Sequence, residues 1–265
     1  MGKIMKSAPV YFTVAQVRYN PILSLATYIP NIQEHFRKHR FPDFKKGVFM
    51  TLSLSPQLQQ QIGQEQPPMP TPTERYHFGN QENTKSFILE QGSLAFQATE
   101  YETFEAFSTE LLEAMEVLNK AVGLSFVERV GLRYLDAVIP QAGETLKEYL
   151  VPEVMGLYGK LAGDVQHSFS ETLTQIDDGA VMCRIVIQNG QIGFPPDLLQ
   201  LMSLRVAERF TKTVGAHAII DTDAFHQKRV VFSLPEAKKT LNMLHDRADK
   251  AFRATVTEHA LAVWA

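Results

Sequence analysis

The chain has 265 residues, a formal net charge of -3 at pH 7 and 45% hydrophobic residues. That is enough for one large or two small domains with a full core, and too little charge for a global field that would favour nucleic acid or a membrane. The single cysteine, Cys183, excludes an internal disulfide and, inside the apolar run 181–187, reads as a buried thiol suited to a reducing compartment.

Residues 1–7 lack an apolar leader, and no window nears the roughly 18 apolar residues of a membrane span. The expectation is a cytoplasmic protein without a membrane partner. Residues 10–19 are dense in β-branched and aromatic side chains and stop at Asn20-Pro21, a strand and then a turn. The spacing of Ile29, Ile32 and Phe36 predicts a helix capped by Thr27, with Pro30 in its first turn and Phe41-Pro42 at its end. A strand over 47–54 runs into residues 55–73, where 11 of 19 are Gln or Pro, a composition that builds no core and reads as a loop.

Strands over 74–78, 85–90 and 94–101 form a meander, with Gln91-Gly92-Ser93 turning between the last two. A helix over 104–118 puts Phe104, Phe107, Leu111, Met115 and Leu118 on one stripe and Glu105, Glu110, Glu113 and Glu116 outside it. The central strand, 126–139, has Phe126, Val130, Leu132, Tyr134 and Val138 at even positions and Arg129, Gly131 and Arg133 at odd ones. Period two therefore gives it one core face and one basic face.

A short helix over 144–150 follows. Strands 165–176 and 180–188 are joined at Asp177-Asp178-Gly179, a hairpin signal because Asp-Gly accepts positive φ. Pro195-Pro196 breaks the chain before a helix around 199–210, a strand over 216–225 and a final helix over 235–264. The order strand, helix, meander, helix thus occurs twice. It predicts an α+β fold with antiparallel sheet and helices on one face, built from halves 1–122 and 123–265 that pack as one unit and suggest an internal duplication.

The run Ala8-Pro-Val-Tyr-Phe-Thr-Val-Ala-Gln-Val-Arg-Tyr-Asn-Pro21, the stretch Arg129-Val-Gly-Leu-Arg-Tyr-Leu-Asp136 and the end Leu244-His-Asp-Arg-Ala-Asp-Lys-Ala-Phe252 resemble an uncharacterised, sporadically distributed prokaryotic family of about this length. That family implies no activity. At fold level the element order is similar to the duplicated modules of the TATA-binding-protein-like fold, whose members bind nucleic acid, small ligands or proteins.

Local chemistry is sparse. His35 and His39 have the helical spacing of two metal ligands, but Arg37, Lys38 and Arg40 surround them, so no metal is expected. His217, Asp221 and Asp223 share a strand face and could form a polar or catalytic cluster. His245 and His259 read as packing and capping residues. Residues 156–160 lack the gap and the Ser or Thr of a phosphate loop, and there is no nucleophile elbow.

The basic segment holds Arg37, Lys38, Arg40, Lys45 and Lys46 with Phe41 and Phe44 interleaved, a pattern that could grip a nucleic-acid strand or simply end a helix. Arg129 and Arg133 could meet carboxylates of a partner, or pair internally with Glu110, Glu113 or Glu116. The leading expectation is a non-catalytic protein-binding or scaffold module without cofactor. Nucleic-acid binding through 37–46 is the alternative, and an enzyme around His217 and Asp221 the third.

Overall fold

The computed structural model describes residues 5–51, 71–163, 165–199 and 204–265. Its elements are β1 (Val10–Tyr19), α1 (Leu25–Lys38), β2 (Asp43–Thr51), β3 (Thr71–Gly79), β4 (Lys85–Glu90), β5 (Ser93–Ala98), α2 (Phe104–Val122), β6 (Phe126–Val138), α3 (Leu146–Tyr149) and α4 (Pro152–Met155). They continue with β7 (His167–Ile176), β8 (Gly179–Gln191), α5 (Glu208–Thr211), β9 (Val214–His226), β10 (Val230–Val231), α6 (Leu234–Thr255) and α7 (Glu258–Trp264). The α+β reading holds: the ten strands form a single antiparallel sheet in the order β2-β3-β4-β5-β1-β6-β9-β8-β7, with β10 also paired to β6.

β1 and β6 pair at the centre of the sheet, with β5, β4, β3 and β2 extending outward from β1 and β9, β8 and β7 from β6. The long helices α1, α2 and α6 pack on one face, over Ala15, Val17, Tyr19, Val130, Leu132 and Tyr134. Toward β8 and β9 the same face is closed by α3, α4 and α7 over Cys183, Ile185, Ala218 and Ile220. The alternation of β1, β6 and β9 then turns their other side chains to the opposite face. One end of that face is covered by residues 192–199 and 204–210: Leu198 and Phe210 pack on Tyr11, Phe12, Leu135, Ala137 and Ile219.

Several local expectations need correction. The first helix starts at Leu25 after Ser24, and the Thr27 hydroxyl donates back to the Ser24 carbonyl instead of capping, because the buried stripe begins one turn earlier with Leu25. The last helix is two helices: the chain extends at Val256, which bridges to Leu150, and restarts when Thr257 caps α7 by accepting from the Ala260 N–H. Only Glu208–Thr211 is helical in the described part of 199–210. The Gln- and Pro-rich loop lies outside the described residues except for 71–73, which belong to β3.

The hairpin between β7 and β8 carries its positive φ at Asp177, not at the glycine. Gly179 serves another purpose. A Cβ there would lie 2.1 Å from the Phe225 carbonyl oxygen of β9, so only a residue without side chain lets the two strands pair.

Candidate functional site

The basic face of β6 opens into a cleft of about 290 Å³ between Arg75 and Glu90 on one side and Arg129, Arg133 and Asp223 on the other. Its floor is Val14, Gln16 and Ala95, and Asp197 with Leu198 closes the end beneath the covering segment. Strand alternation alone aligns these groups, since Gln16, Gly131 and Phe225 are cross-strand neighbours, as are Val14, Arg133 and Asp223.

Arg133 is almost fully buried and fully committed. Its Nε and Nη2 donate to the two carboxylate oxygens of Asp221 at 2.6 and 2.7 Å, and its Nη1 donates to Asp197. The ladder continues sideways: Arg184 donates to Asp221 at 3.2 Å and to Glu171 at 2.6 Å, so Arg133, Asp221, Arg184 and Glu171 alternate in sign across β6, β9, β8 and β7. Bidentate geometry in a buried setting makes this a rigid wall.

Arg129 differs. Among the described residues it has no hydrogen-bond or ion-pair partner; its guanidinium lies 4.8 Å above the Phe225 ring and folds back over Gly131. A Cβ at Gly131 would sit 2.9 Å from Arg129 Nη1, so that glycine is needed for space along the strand. Burial lowers the Arg129 pKa against the opposing pull of Asp223, and burial raises that of Asp223 against the pull of Arg129 and Arg133. Among the described residues, the cleft therefore holds one cation and one carboxyl that no partner at contact distance satisfies.

The expected internal pairing of these arginines with the acidic helix is overturned. Glu110 pairs with Lys85 and Glu116 with Lys120 on α2, which packs on the other face of the sheet. Sequence neighbours were the wrong guide here, because a strand separates its two faces completely.

The remaining candidates fall elsewhere. His217, Asp221 and Asp223 do share one face, yet His217 bonds to Gln188 and the Gly215 carbonyl while Asp221 is held by arginines. In the basic segment, Arg37 and Lys38 both pair with Glu34, Lys45 with Asp43 and Lys46 with Glu74; Phe41 is buried and Phe44 stacks beside Tyr76. Arg40 is exposed at a positive φ of 76° after the helix. His35 and His39 stack ring on ring at 4.0 Å, and among the described residues no group of three His, Cys, Asp or Glu is arranged to hold a metal. Cys183 is buried and its thiol is pushed up to about 11, which leaves it protonated and unreactive at neutral pH. His259 sits 3.0 Å from Glu144 against the edge of Tyr149, while His245 lines a second cavity behind the sheet.

Arg184, Asp197 and Glu171 escaped the sequence reading. The alternation of 180–188 places Arg184 opposite Cys183, a local cue, but nothing near Asp197 marks it as a partner of a residue 64 positions away. Among the described residues no helix is long and apolar enough to cross a membrane. Comparison with family models, with curated proteins and with solved structures finds no match.

Proposed function

We propose that the chain is a non-catalytic binding module that docks an acidic segment of a protein partner on the open face of its sheet. The observation that carries this reading is Arg129, a half-buried guanidinium aligned by Phe225 and Gly131 in a cleft and left without a carboxylate. A buried cation without partner is costly, and an incoming carboxylate removes that cost with charge-assisted bonds. Arg133 beside it is already saturated, so it shapes the site and contributes little new affinity. The broadly similar order of elements in residues 1–122 and 123–265 supports reading the fold as an internal duplication.

The test is fluorescence anisotropy with a labelled tetraglutamate peptide and its lysine counterpart. Wild-type protein should bind the acidic peptide alone, and Arg129→Gln should lose it with melting unchanged. Equal binding by the variant, or none by the wild type at low salt, defeats the proposal. An oligonucleotide retained by Arg129→Gln but lost with Lys45→Glu and Lys46→Glu together would instead establish the nucleic-acid alternative.

A further inference from the structure

A larger cavity, of about 490 Å³, lies behind the sheet between α2, α6, β6 and residues 5–10. It shares no residue with the cleft described above. Tyr101, Phe104, Tyr134 and Phe252 give it aromatic walls, and Ala248 leaves the space a larger side chain on α6 would fill. The Phe104 and His245 rings are parallel at 4.1 Å, His245 Nδ1 is 3.0 Å from the Tyr134 hydroxyl, and that hydroxyl is 3.4 Å from Tyr101. Each polar wall group thus has a neighbour that fixes its direction.

Asp136 breaks the pattern. It stands on the core face of β6 between Tyr134 and Val138, is only 7% exposed, lines this cavity and has no hydrogen-bond partner among the described residues. A buried, unsatisfied carboxyl costs stability unless something binds it. The mouth adds Glu102 and Glu105, and Asp249, which is bonded to Arg253, the one Lys or Arg of the lining among the described residues. An anion would meet carboxylates throughout, and a neutral apolar molecule would leave Asp136 unsatisfied.

From this geometry we infer that the cavity binds a small organic amine, its ammonium paired with Asp136 and its apolar body held among Tyr101, Phe104, Tyr134 and Phe252. Aromatic faces add cation–π attraction to the ion pair, and the volume suits a ligand of modest size. The site is independent of the proposed docking face. It lies on the other side of the sheet.

Proton linkage sharpens the expectation. Burial, reinforced by Asp221 across the sheet, pushes the Asp136 carboxyl up to about 8. The other titratable or charged groups around it are Tyr101 and Tyr134, whose pKa values burial raises, His245 on α6, whose pKa burial lowers, and Glu102, Glu105, Asp249 and Arg253 at the mouth. An ammonium binds the carboxylate form, so below pH 8 binding must release a proton.

Calorimetry with benzylamine and its neutral counterpart benzyl alcohol tests the site. At pH 8 the amine should bind at least about tenfold more tightly, and its affinity should fall by about tenfold per pH unit below that until the two probes converge. Asp136→Asn, which keeps size and shape, should abolish the preference, and Ala248→Phe should exclude both probes. An Nα-acetyl-lysine N-methylamide, with its ε-ammonium free, that outcompetes benzylamine would support an ammonium carried on a polypeptide. Equal affinity for amine and alcohol at pH 8, a preference that survives Asp136→Asn, or binding that survives Ala248→Phe overturns the inference.

Discussion

Asp221 and Arg133 face each other across β9 and β6 through two parallel bonds of 2.6 and 2.7 Å, with both side chains almost fully buried. Their sequence separation is 88 residues, and the pair ties β9 to the central strand β6. Truncating one partner leaves the other charged and dry. Arg133→Ala should therefore destabilise the fold by about 3–5 kcal/mol, while the double change Arg133→Met with Asp221→Leu should recover most of that. Urea unfolding of the three proteins checks it, and a double variant as weak as the single one would show that the ladder through Arg184 carries the stability instead.

Gly131 keeps the space into which Arg129 folds. Gly131→Ala should displace the guanidinium from Phe225, because the clash at 2.9 Å falls on the end of a flexible side chain and not on backbone. The expected result is a small change in stability, within about 1 kcal/mol, with tetraglutamate binding weakened toward that of Arg129→Gln. Retained binding would mean that Arg129 can act from another position.

Asp223, which also lacks a hydrogen-bond partner among the described residues, stands beside Arg129 and repels an incoming carboxylate. Asp223→Asn should tighten tetraglutamate binding several-fold, chiefly at low salt, where the repulsion between half-exposed charges is least screened. Anisotropy titrations at two ionic strengths decide it; weaker binding would show that Asp223 instead positions Arg129.

Gly179 is different in kind. An alanine there meets the Phe225 carbonyl at 2.1 Å, and that obstacle is backbone within the β8 and β9 ladder. Gly179→Ala should cost about 1–3 kcal/mol through displaced strands. Thermal melting measures the loss, and an unchanged midpoint would show that the hairpin shifts freely.

Asp136 makes stability depend on pH. Unfolded, its carboxyl titrates near 3.8; folded, it holds its proton up to about 8. Its contribution is fully present below the first value and is lost as pH rises toward the second, since unfolding then releases a proton. Asp136→Asn removes that term. The melting temperature of the variant should match wild type near about pH 4 and exceed it increasingly up to about pH 8. A constant difference across the range would place the carboxyl in a wetter setting than the cavity floor.

The sequence by itself determined the elements and their faces, because alternation and helical spacing are local: Val130, Leu132 and Tyr134 had to oppose Arg129, Gly131 and Arg133, and Phe104, Phe107 and Leu111 had to share a stripe. It also contained the cue to Asp136, an acid between Tyr134 and Val138, both of which face the core, although volume around that carboxyl is invisible in one dimension. Tertiary structure alone decided which residues meet. Asp197 and Asp221 reach Arg133 from 64 and 88 residues away, Phe225 aligns Arg129, and α2 takes its glutamates to the far side of the sheet. The reason is physical: which side a side chain points to follows from the backbone period of its own strand, whereas the partner it finds depends on sheet order and register, which are set by packing of the whole core.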